Sequence, residues 1–231
     1  DGFENFYVRR LKTRIDDCFA RPIYGAPGRY IKCFDRTKIG SKAEYIYDGS
    51  TTECLNLSSY NYLGFAQSNG VCTDYALKIC REFGPSACLA RLVSGTTELH
   101  KNCERIIADF VGKDDAIIVS QGYGTNANLF ASLVDSKCLV ISDELNHASI
   151  RFGVRLSGAS VKVFKHNDME ALEKLIRDLI AQGQPRLHRP WKKIIIAVEG
   201  LYSMEGNMGN IPGLVELKKK YKCYLFVDEA H

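Results

Sequence analysis

Five short runs of mostly apolar residues, separated by segments with helical periodicity, constrain the fold of this chain more than any other feature. Each run has the length of a strand that is buried on both faces. Strands that alternate with helices predict βαβ units with right-handed crossovers, and so an α/β fold with a mostly parallel sheet flanked by helices. The runs are residues 116–119, 138–141, 161–164, 194–198 and 224–227.

The segments between the runs carry apolar residues at helical spacing. Helices are predicted near residues 98–111 and 168–181. Asn167 and Glu170 have the spacing of a capping box at the start of the second of these. Pro212 suits the first turn of a further helix, because that turn does not need the missing amide hydrogen.

The beginning of the chain has a different character. Residues 3–20 show a charged and aromatic helical rhythm that ends before Pro22, and residues 22–57 predict irregular structure with brief strands. We therefore assign residues 1–64 to an N-terminal arm with a segment associated with a small domain. Residues 65–231 are assigned to the first part of a large ligand-binding domain that is incomplete at its C-terminus.

Composition excludes several classes of protein. The net charge of +4 comes from scattered basic residues and gives no reason to expect a nucleic-acid partner. The longest uninterrupted apolar stretch, residues 194–198, is far shorter than the roughly 20 residues that span a bilayer. Nine cysteines without a C-x-x-C pair predict no metal site and suit a reducing compartment. We expect a piece of a longer protein, whose membrane association lies in other segments.

Ligands of parallel α/β sheets bind beyond the carboxyl ends of the strands, so the residues after each run are the candidates for a site. Residues 120–127 form a Gly-rich turn into a helix, where Gly122 and Tyr123 suit a phosphate. His147 follows the second run and offers a flat ring. Its alternative is a structural histidine.

Ser203 follows the fourth run, and Asp228 and His231 follow the fifth. A phosphate cradle, a ring, a hydroxyl, an acid and a second imidazole are what pyridoxal 5′-phosphate (PLP) requires, including an anion that keeps the pyridine nitrogen protonated. The residues therefore favour PLP as the cofactor.

A dinucleotide is the main alternative ligand. Residues 122–127 fit G-x-G-x-x-A, and Asp143 lies near the end of the next run, where an acid would bind a ribose hydroxyl. This alternative leaves His147, Ser203 and His231 unexplained. The letters D-E-A-H at residues 228–231 do not indicate an ATPase, because the sequence has no phosphate-binding G-x-x-x-x-G-K-[ST] loop.

Several separate motifs occur in an order that resembles the α-oxoamine synthases, fold-type I PLP enzymes that join an amino acid to an acyl-CoA with loss of carbon dioxide. These motifs are residues 59–65, 94–100 and 143–149. A more specific combination of stretches resembles the catalytic subunit of the eukaryotic members that use L-serine and palmitoyl-CoA. It comprises residues 183–186, 189–194, 199–206, 218–222 and 227–231.

The resemblance implies a role for each matching residue. Gly122 and Tyr123 would help to hold the cofactor phosphate, and His147 would stack on the pyridine ring. Asp228 would pair with the ring nitrogen. The chemistry of these residues agrees with the implied roles, since backbone donors suit an anion and a carboxylate suits a pyridinium.

The remaining assignments follow from the same resemblance. His231 and Ser203 would lie near the phenolic oxygen of the cofactor, so that His147, Asp228 and His231 form the catalytic set. Asn61 would lie near the substrate. The lysine that binds the cofactor covalently in the family would come after His231, so this chain by itself would be inactive.

The implied activity is the decarboxylative condensation of L-serine with palmitoyl-CoA to 3-ketodihydrosphingosine, the first step of sphingolipid synthesis. The resemblance also implies a heterodimer with a homologous first subunit at the endoplasmic reticulum membrane, with the catalytic domain facing the cytosol. Two alternatives stay open: an α-oxoamine synthase with another amino acid and acyl-CoA, and a non-catalytic partner subunit.

Overall fold

A computed structural model describes residues 2–40, 44–57 and 59–231. The chain divides into two compact units, Asp1–Thr97 and Glu98–His231. The domain boundary expected between residues 64 and 65 concerns the whole protein and stays a prediction.

The first unit begins with helix α1, Gly2–Cys18, which ends before Pro22 as the helical rhythm predicts. Three antiparallel strands follow in the order β1-β2-β3. Their bounds are Ile23–Tyr24 for β1, Tyr30–Ile39 for β2 and Glu44–Leu55 for β3. Helix α2, Val71–Phe83, and a π-helical turn, Arg91–Gly95, complete the unit.

The prediction of irregular structure with brief strands over residues 22–57 is wrong. Strands β2 and β3 have 10 and 12 residues and pair along most of their length, with an irregularity between Phe34 and Arg36. Most of their side chains are exposed on both faces. The apolar alternation that identifies a half-buried strand is therefore weak in this hairpin, although the backbone pairing is extensive.

The second unit contains a four-stranded parallel sheet in the order β5-β4-β6-β7. Its strands coincide with four of the five predicted runs, so the predicted α/β architecture is confirmed. Their bounds are Leu139–Asp143 for β4, Ser160–Phe164 for β5, Ile194–Glu199 for β6 and Tyr224–Asp228 for β7.

Five helices accompany this sheet. They are α3, Glu98–Val111; α4, Gly122–Leu133; α5, Ala148–Ser157; α6, Met169–Gln182; and α7, Ile211–Tyr221. Helices α4 and α5 cover one face of the sheet with a buried cluster that includes Phe130, Val140 and Ile150. Helices α6 and α7 cover the other face, where Leu172 and Ile196 are fully buried. Helices on both faces explain why the strands are apolar throughout.

The first predicted strand, residues 116–119, is not a strand in the structure. It pairs with none of the strands described, and Ile117 is 75% exposed. The backbone N–H of Ile118 instead donates to the Glu104 carboxylate of α3. An apolar run of this length forms a strand only where a neighbouring strand offers backbone partners, and that condition cannot be read from the run itself.

The predicted capping residue of α6 is also wrong by one position. Asp168, and not Asn167, is the N-cap, because its carboxylate accepts the N–H of Ala171. Asn167 adopts a left-handed backbone with φ 55° and bonds to the main chain at Met208 and Asn210. The prediction of Pro212 in the first turn of α7 is confirmed.

The described ranges, which omit residues 1, 41–43 and 58, contain neither a membrane-spanning helix nor a metal-binding cluster. Every helix there is too short or too polar to cross a bilayer. Those ranges also hold no cluster of three or more His, Cys, Asp or Glu side chains arranged for a metal ion.

Candidate active site

A cleft of about 310 Å³ opens at the carboxyl ends of β6 and β7, beside the first turns of α4 and α5. All six residues that the sequence predicts to bind the cofactor line this cleft. They are Gly122, Tyr123, His147, Ser203, Asp228 and His231. Topology brings them together, because parallel strands and the helices that follow them meet at one edge of the sheet.

The N-terminus of α4 supplies backbone donors to the cleft. The N-cap, Gln121, makes no side-chain capping bond, so its side chain leaves the first amides of this helix uncapped. Gly122 has open space where a Cβ would stand. Uncapped amides, the positive end of the helix dipole and free space suit a phosphate group.

His147 is held from two directions. Its backbone N–H donates to the Glu199 carboxylate, and its Nδ1 accepts the backbone N–H of Ser149 at 3.2 Å as the N-cap of α5. The Tyr123 ring lies edge-on, with ring centroids 6.2 Å apart. The imidazole itself is exposed to the cleft. A flat ring fixed in this way can pack against a planar cofactor.

Asp228 is the last residue of β7 and stands opposite Glu199 of β6 in the sheet register. Its Oδ2 accepts a hydrogen bond of 2.7 Å from Asn126 Nδ2, and its Oδ1 accepts the N–H of Ala230 at 2.9 Å. These two donors fix the orientation of the carboxylate. A fixed carboxylate can keep a pyridine nitrogen protonated.

Glu199 is a second carboxyl group at this edge of the sheet, and it is only 5% exposed. Burial raises the pKa of Glu199, the hydrogen bond from the His147 backbone lowers it, and the neighbouring Asp228 raises it again; the net direction is upward. Glu199 therefore holds the main chain beside the imidazole at some electrostatic cost.

Ser203 and His231 complete the cleft. Ser203 follows Tyr202, a fully buried residue whose hydroxyl oxygen accepts the backbone N–H of Glu199 at 3.2 Å. Burial in the first place, and the carboxylate of Asp143 in addition, raise the pKa of the Tyr202 phenol. The turn that carries Ser203 is thus anchored by a buried, uncharged ring.

Asn61 belongs to the first unit and is not among the residues of the cleft. Its Nδ2 donates to the carbonyl of Pro27 at 2.8 Å, and its Oδ1 accepts the N–H of Ala66 at 3.0 Å. In this unit the side chain therefore joins two stretches of backbone. Its role in substrate binding stays a prediction.

The geometry argues against the dinucleotide alternative. Asp143 is 3% exposed and does not line the cleft. Its Oδ1 accepts the N–H of Leu145 at 2.9 Å, and its Oδ2 lies 3.0 Å from His166 Nδ1. A carboxylate engaged in this way is not presented to a ribose hydroxyl, which the dinucleotide fingerprint requires.

Sequence reasoning missed three residues that support the cleft. Asn126, Ser149 and Glu199 all line it, and each is at most 8% exposed. A signal was present, since Asn126 lies one turn into α4, Ser149 lies two residues after His147, and Glu199 directly follows an apolar run. Their partners, however, are distant in the chain and became visible only in the fold.

The chain matches the family model for aminotransferase class I and II over residues 52–231. It belongs to the aminotransferase class I and II family.

Among curated proteins, the chain is 67% identical to serine palmitoyltransferase 2 of Kluyveromyces lactis, over 99% of this chain and 41% of the relative. It is 61% identical to serine palmitoyltransferase 2 of Saccharomyces cerevisiae, over 100% of this chain and 41% of the relative. The chain therefore spans about 41% of the length of these two relatives.

Among solved structures, a serine palmitoyltransferase of Sphingomonas wittichii is 27% identical to this chain, with a TM-score of 0.77. The match covers 100% of this chain and 52% of the S. wittichii chain. The enzyme of S. paucimobilis with bound PLP–myriocin aldimine is 26% identical, with a TM-score of 0.76 and the same coverage. These similarities confirm the predicted fold class and the resemblance to the α-oxoamine synthases.

Proposed function

We propose that this chain is part of the catalytic subunit of a serine palmitoyltransferase. The whole protein would join L-serine to the acyl group of palmitoyl-CoA, releasing carbon dioxide and free CoA and forming 3-ketodihydrosphingosine. The observation that carries the proposal is the cleft, where uncapped amides, an imidazole and an oriented carboxylate converge. The high identity to curated serine palmitoyltransferases over the full chain supports it.

The residues of the cleft fit PLP. Bound PLP supplies an electron sink that stabilises negative charge at the α-carbon of an amino acid. The amides at Gly122 and Tyr123 would bind its phosphate, and His147 would pack against its ring. Asp228, oriented by Asn126, would accept a hydrogen bond from the protonated ring nitrogen and keep that nitrogen charged.

Other residues of the cleft have different tasks. Ser203 and His231 carry groups that can hydrogen-bond an anionic phenolic oxygen. Glu199 holds the backbone of His147 in place. The lysine expected to bind the cofactor covalently, and to take the α-proton of serine, would belong to a part of the protein after His231.

We further propose that the protein works as a heterodimer with a homologous first subunit at the endoplasmic reticulum membrane, with its catalytic domain facing the cytosol. The support is the resemblance of residues 183–186, 189–194 and 218–222 to the catalytic subunit of the eukaryotic enzymes. Membrane association would come from other segments of the protein. Fractionation of cells that express the tagged full-length protein, with protease protection to read orientation, tests this placement.

The activity is tested on the full-length protein co-purified with its partner. We expect PLP absorbance, and a single lysine after His231 that carries the cofactor after borohydride reduction and peptide mapping. Mass spectrometry should detect 3-ketodihydrosphingosine from L-serine and palmitoyl-CoA. Asp228→Asn should lower this activity by about 100-fold or more, the range seen when a preorganised electrostatic partner is removed.

Asp135→Asn is the matched control, because Asp135 binds Lys192 on the surface and does not line the cleft. Preference for glycine or alanine with a short acyl-CoA would replace the proposal by another α-oxoamine synthase. A complex that is active while no lysine of this subunit is modified would identify it as a non-catalytic partner.

A further inference from the structure

A continuous series of hydrogen bonds connects Asp228 with His147, two residues that line the cleft. Asn126 Nδ2 lies 2.7 Å from Asp228 Oδ2 and 3.0 Å from Ser149 Oγ. Ser149 Oγ lies 2.7 Å from His147 Nδ1. Asn126 and Ser149 are 8% and 1% exposed, so bulk water does not compete for these bonds.

The carboxylate of Asp228 determines which group donates in each of these hydrogen bonds. A carboxylate has only acceptor oxygens, so the group of Asn126 that faces Asp228 must be the amide NH₂. The same nitrogen carries a second hydrogen, which it donates to Ser149 Oγ. Rotating the amide by half a turn would bring two acceptor oxygens together beside Asp228.

The direction of the next bond follows in turn. Ser149 Oγ has one hydrogen, and because the oxygen accepts from Asn126, this hydrogen is available for His147 Nδ1. The backbone N–H of Ser149 also donates to Nδ1, at 3.2 Å. Two donors therefore converge on the same ring nitrogen, which must act as an acceptor.

We infer that Asn126 and Ser149 are positioning residues that hold the imidazole of His147 as its Nε2–H tautomer and fix the plane of its ring. The inference deepens the proposed function, since it concerns the same site. One network fixes both the orientation of the Asp228 carboxylate and the position of the proton on the His147 ring. The site is therefore ordered before a cofactor or substrate enters.

The test reads the tautomer directly. The full-length protein, purified with its partner and PLP, is labelled with ¹⁵N-histidine, and two-bond ¹H–¹⁵N correlation spectra distinguish protonated from unprotonated ring nitrogens. The signals of His147 are those that disappear in His147→Gln. We expect unprotonated Nδ1 and protonated Nε2 in the wild type. A proton on Nδ1 of the wild type overturns the inference without any further variant.

Variants then test the two positioning residues. In Ser149→Ala and in Asn126→Ala, we expect the Nδ1 signal to shift towards the protonated range. The first variant removes a hydroxyl donor to Nδ1. The second removes the amide donor that directs this hydroxyl. Ser149→Thr keeps the hydroxyl and should restore the wild-type spectrum. Ser157→Ala is the control, since this serine of α5 donates to the carbonyl of Val154, away from the cleft.

Spectra of Ser149→Ala and Asn126→Ala that match the wild type would reject the network as the cause of the tautomer. This outcome is separate from the proposed function, because the spectra require no turnover. A wild type with the expected tautomer but without product from serine and palmitoyl-CoA would reject the function alone. Product formation with Nδ1 protonated would reject the inference alone.

Discussion

The two compact units of the chain differ in what holds them together. Every buried hydrophobic side chain among the described residues belongs to Glu98–His231, where two clusters sandwich the parallel sheet. In the described part of Asp1–Thr97, Gly95 alone is buried, while Leu57 and Tyr60 are each 86% exposed. The second unit is organised by removal of apolar surface from water, and the first by backbone pairing.

This difference has a thermodynamic consequence. Burial of apolar area is the main favourable contribution to folding, whereas a typical hydrogen bond contributes only about 1 kcal/mol net. Substitutions of buried apolar residues in the second unit should therefore be costly, and those of exposed apolar residues in the first unit nearly neutral. The cleft belongs to the second unit, so the two buried clusters that pack this sheet also support the geometry of the cleft.

The sharpest test of the comparison is one substitution made in both units. Ile196 of β6 is fully buried and Ile46 of β3 is 61% exposed. Ile196→Ala should lower the free energy of unfolding by about 2–5 kcal/mol, because it removes packed atoms and leaves a cavity. Ile46→Ala should cost less than about 0.5 kcal/mol. Native-state hydrogen exchange of peptides from β6 and β3 measures both; equal losses would contradict the comparison.

Glycine offers a second paired test. A Cβ on Gly153 of α5 would lie 2.3 Å from the Asn126 carbonyl oxygen of α4, whereas a Cβ on Gly28 would lie 3.9 Å from its nearest neighbour. Gly153→Ala should destabilise the second unit by about 1–3 kcal/mol, since α5 must move away from α4. Urea unfolding followed by the fluorescence of Trp191, the single tryptophan of this chain, reports the change.

Gly28→Ala should leave that transition unaltered. Because both helices begin at the cleft, Gly153→Ala should also weaken PLP binding, read from the cofactor's absorbance during titration. Wild-type stability and PLP affinity in Gly153→Ala would show that α4 and α5 do not need their close approach.

The same comparison explains what could be predicted from the sequence. Strands β4 and β6 and helix α3 were found because buried elements impose periodic apolar residues. Two segments were predicted wrongly. Residues 116–119 have the apolar pattern of a strand but pair with none of the described strands. Strands β2 and β3 pair with each other but lack the apolar pattern.

The residues of the site also fall into two groups, those that the sequence predicted and those that it did not. His147 and Asp228 lie at strand ends, so the topology predicted by the sequence also predicted their meeting. Asn126 bonds to Asp228, which lies 102 residues later in the sequence, and to Ser149, which lies 23 residues later. Contacts of this kind depend on how α4 and α5 pack, which no local pattern of residues specifies. The supporting network was therefore inaccessible until the fold was known.

Arg36 is a charged residue of the first unit whose side chain is largely buried, and it allows a third test. Arg36 is 5% exposed in its side chain and donates to the carbonyls of Asp16 and Asp17 at the end of α1, at 2.7 and 3.0 Å. Its guanidinium carbon lies 3.8 Å from the Tyr45 ring centroid. Arg36→Lys keeps the charge but loses the planar fork and the stacking.

We expect Arg36→Lys to loosen α1 by about 1 kcal/mol, measured as faster hydrogen exchange of the peptide that covers residues 2–18. Arg29→Lys is the matched control, because Arg29 is exposed and lies 5.5 Å from the Tyr30 ring. Equal acceleration in both variants would mean that the α1 carbonyls gain nothing from the buried guanidinium.

The smallest effect is expected where the contrast between buried and exposed positions recurs within the second unit. Burial raises the pKa of Glu199, whereas the hydrogen bond from Lys220, followed by that from Tyr221, lowers the pKa of the partly exposed Glu173. A raised carboxyl pKa gives stability that is present below the ordinary glutamate range, about 4.3, and is lost as pH rises. A lowered carboxyl pKa gives stability that is lost as pH falls.

Glu→Gln substitutions should therefore have pH dependences of opposite sign. Relative to Glu199→Gln, the wild type should become less stable as pH rises above about 4.3, because a buried carboxylate must then be charged. Relative to Glu173→Gln, it should become less stable as pH falls below about 4.3, since protonation removes the charge that binds Lys220. Urea unfolding at several pH values measures both differences. If both stability differences changed with pH in the same direction, burial would not determine the pKa of Glu199, and water would reach its carboxyl group as readily as it reaches the surface of α6.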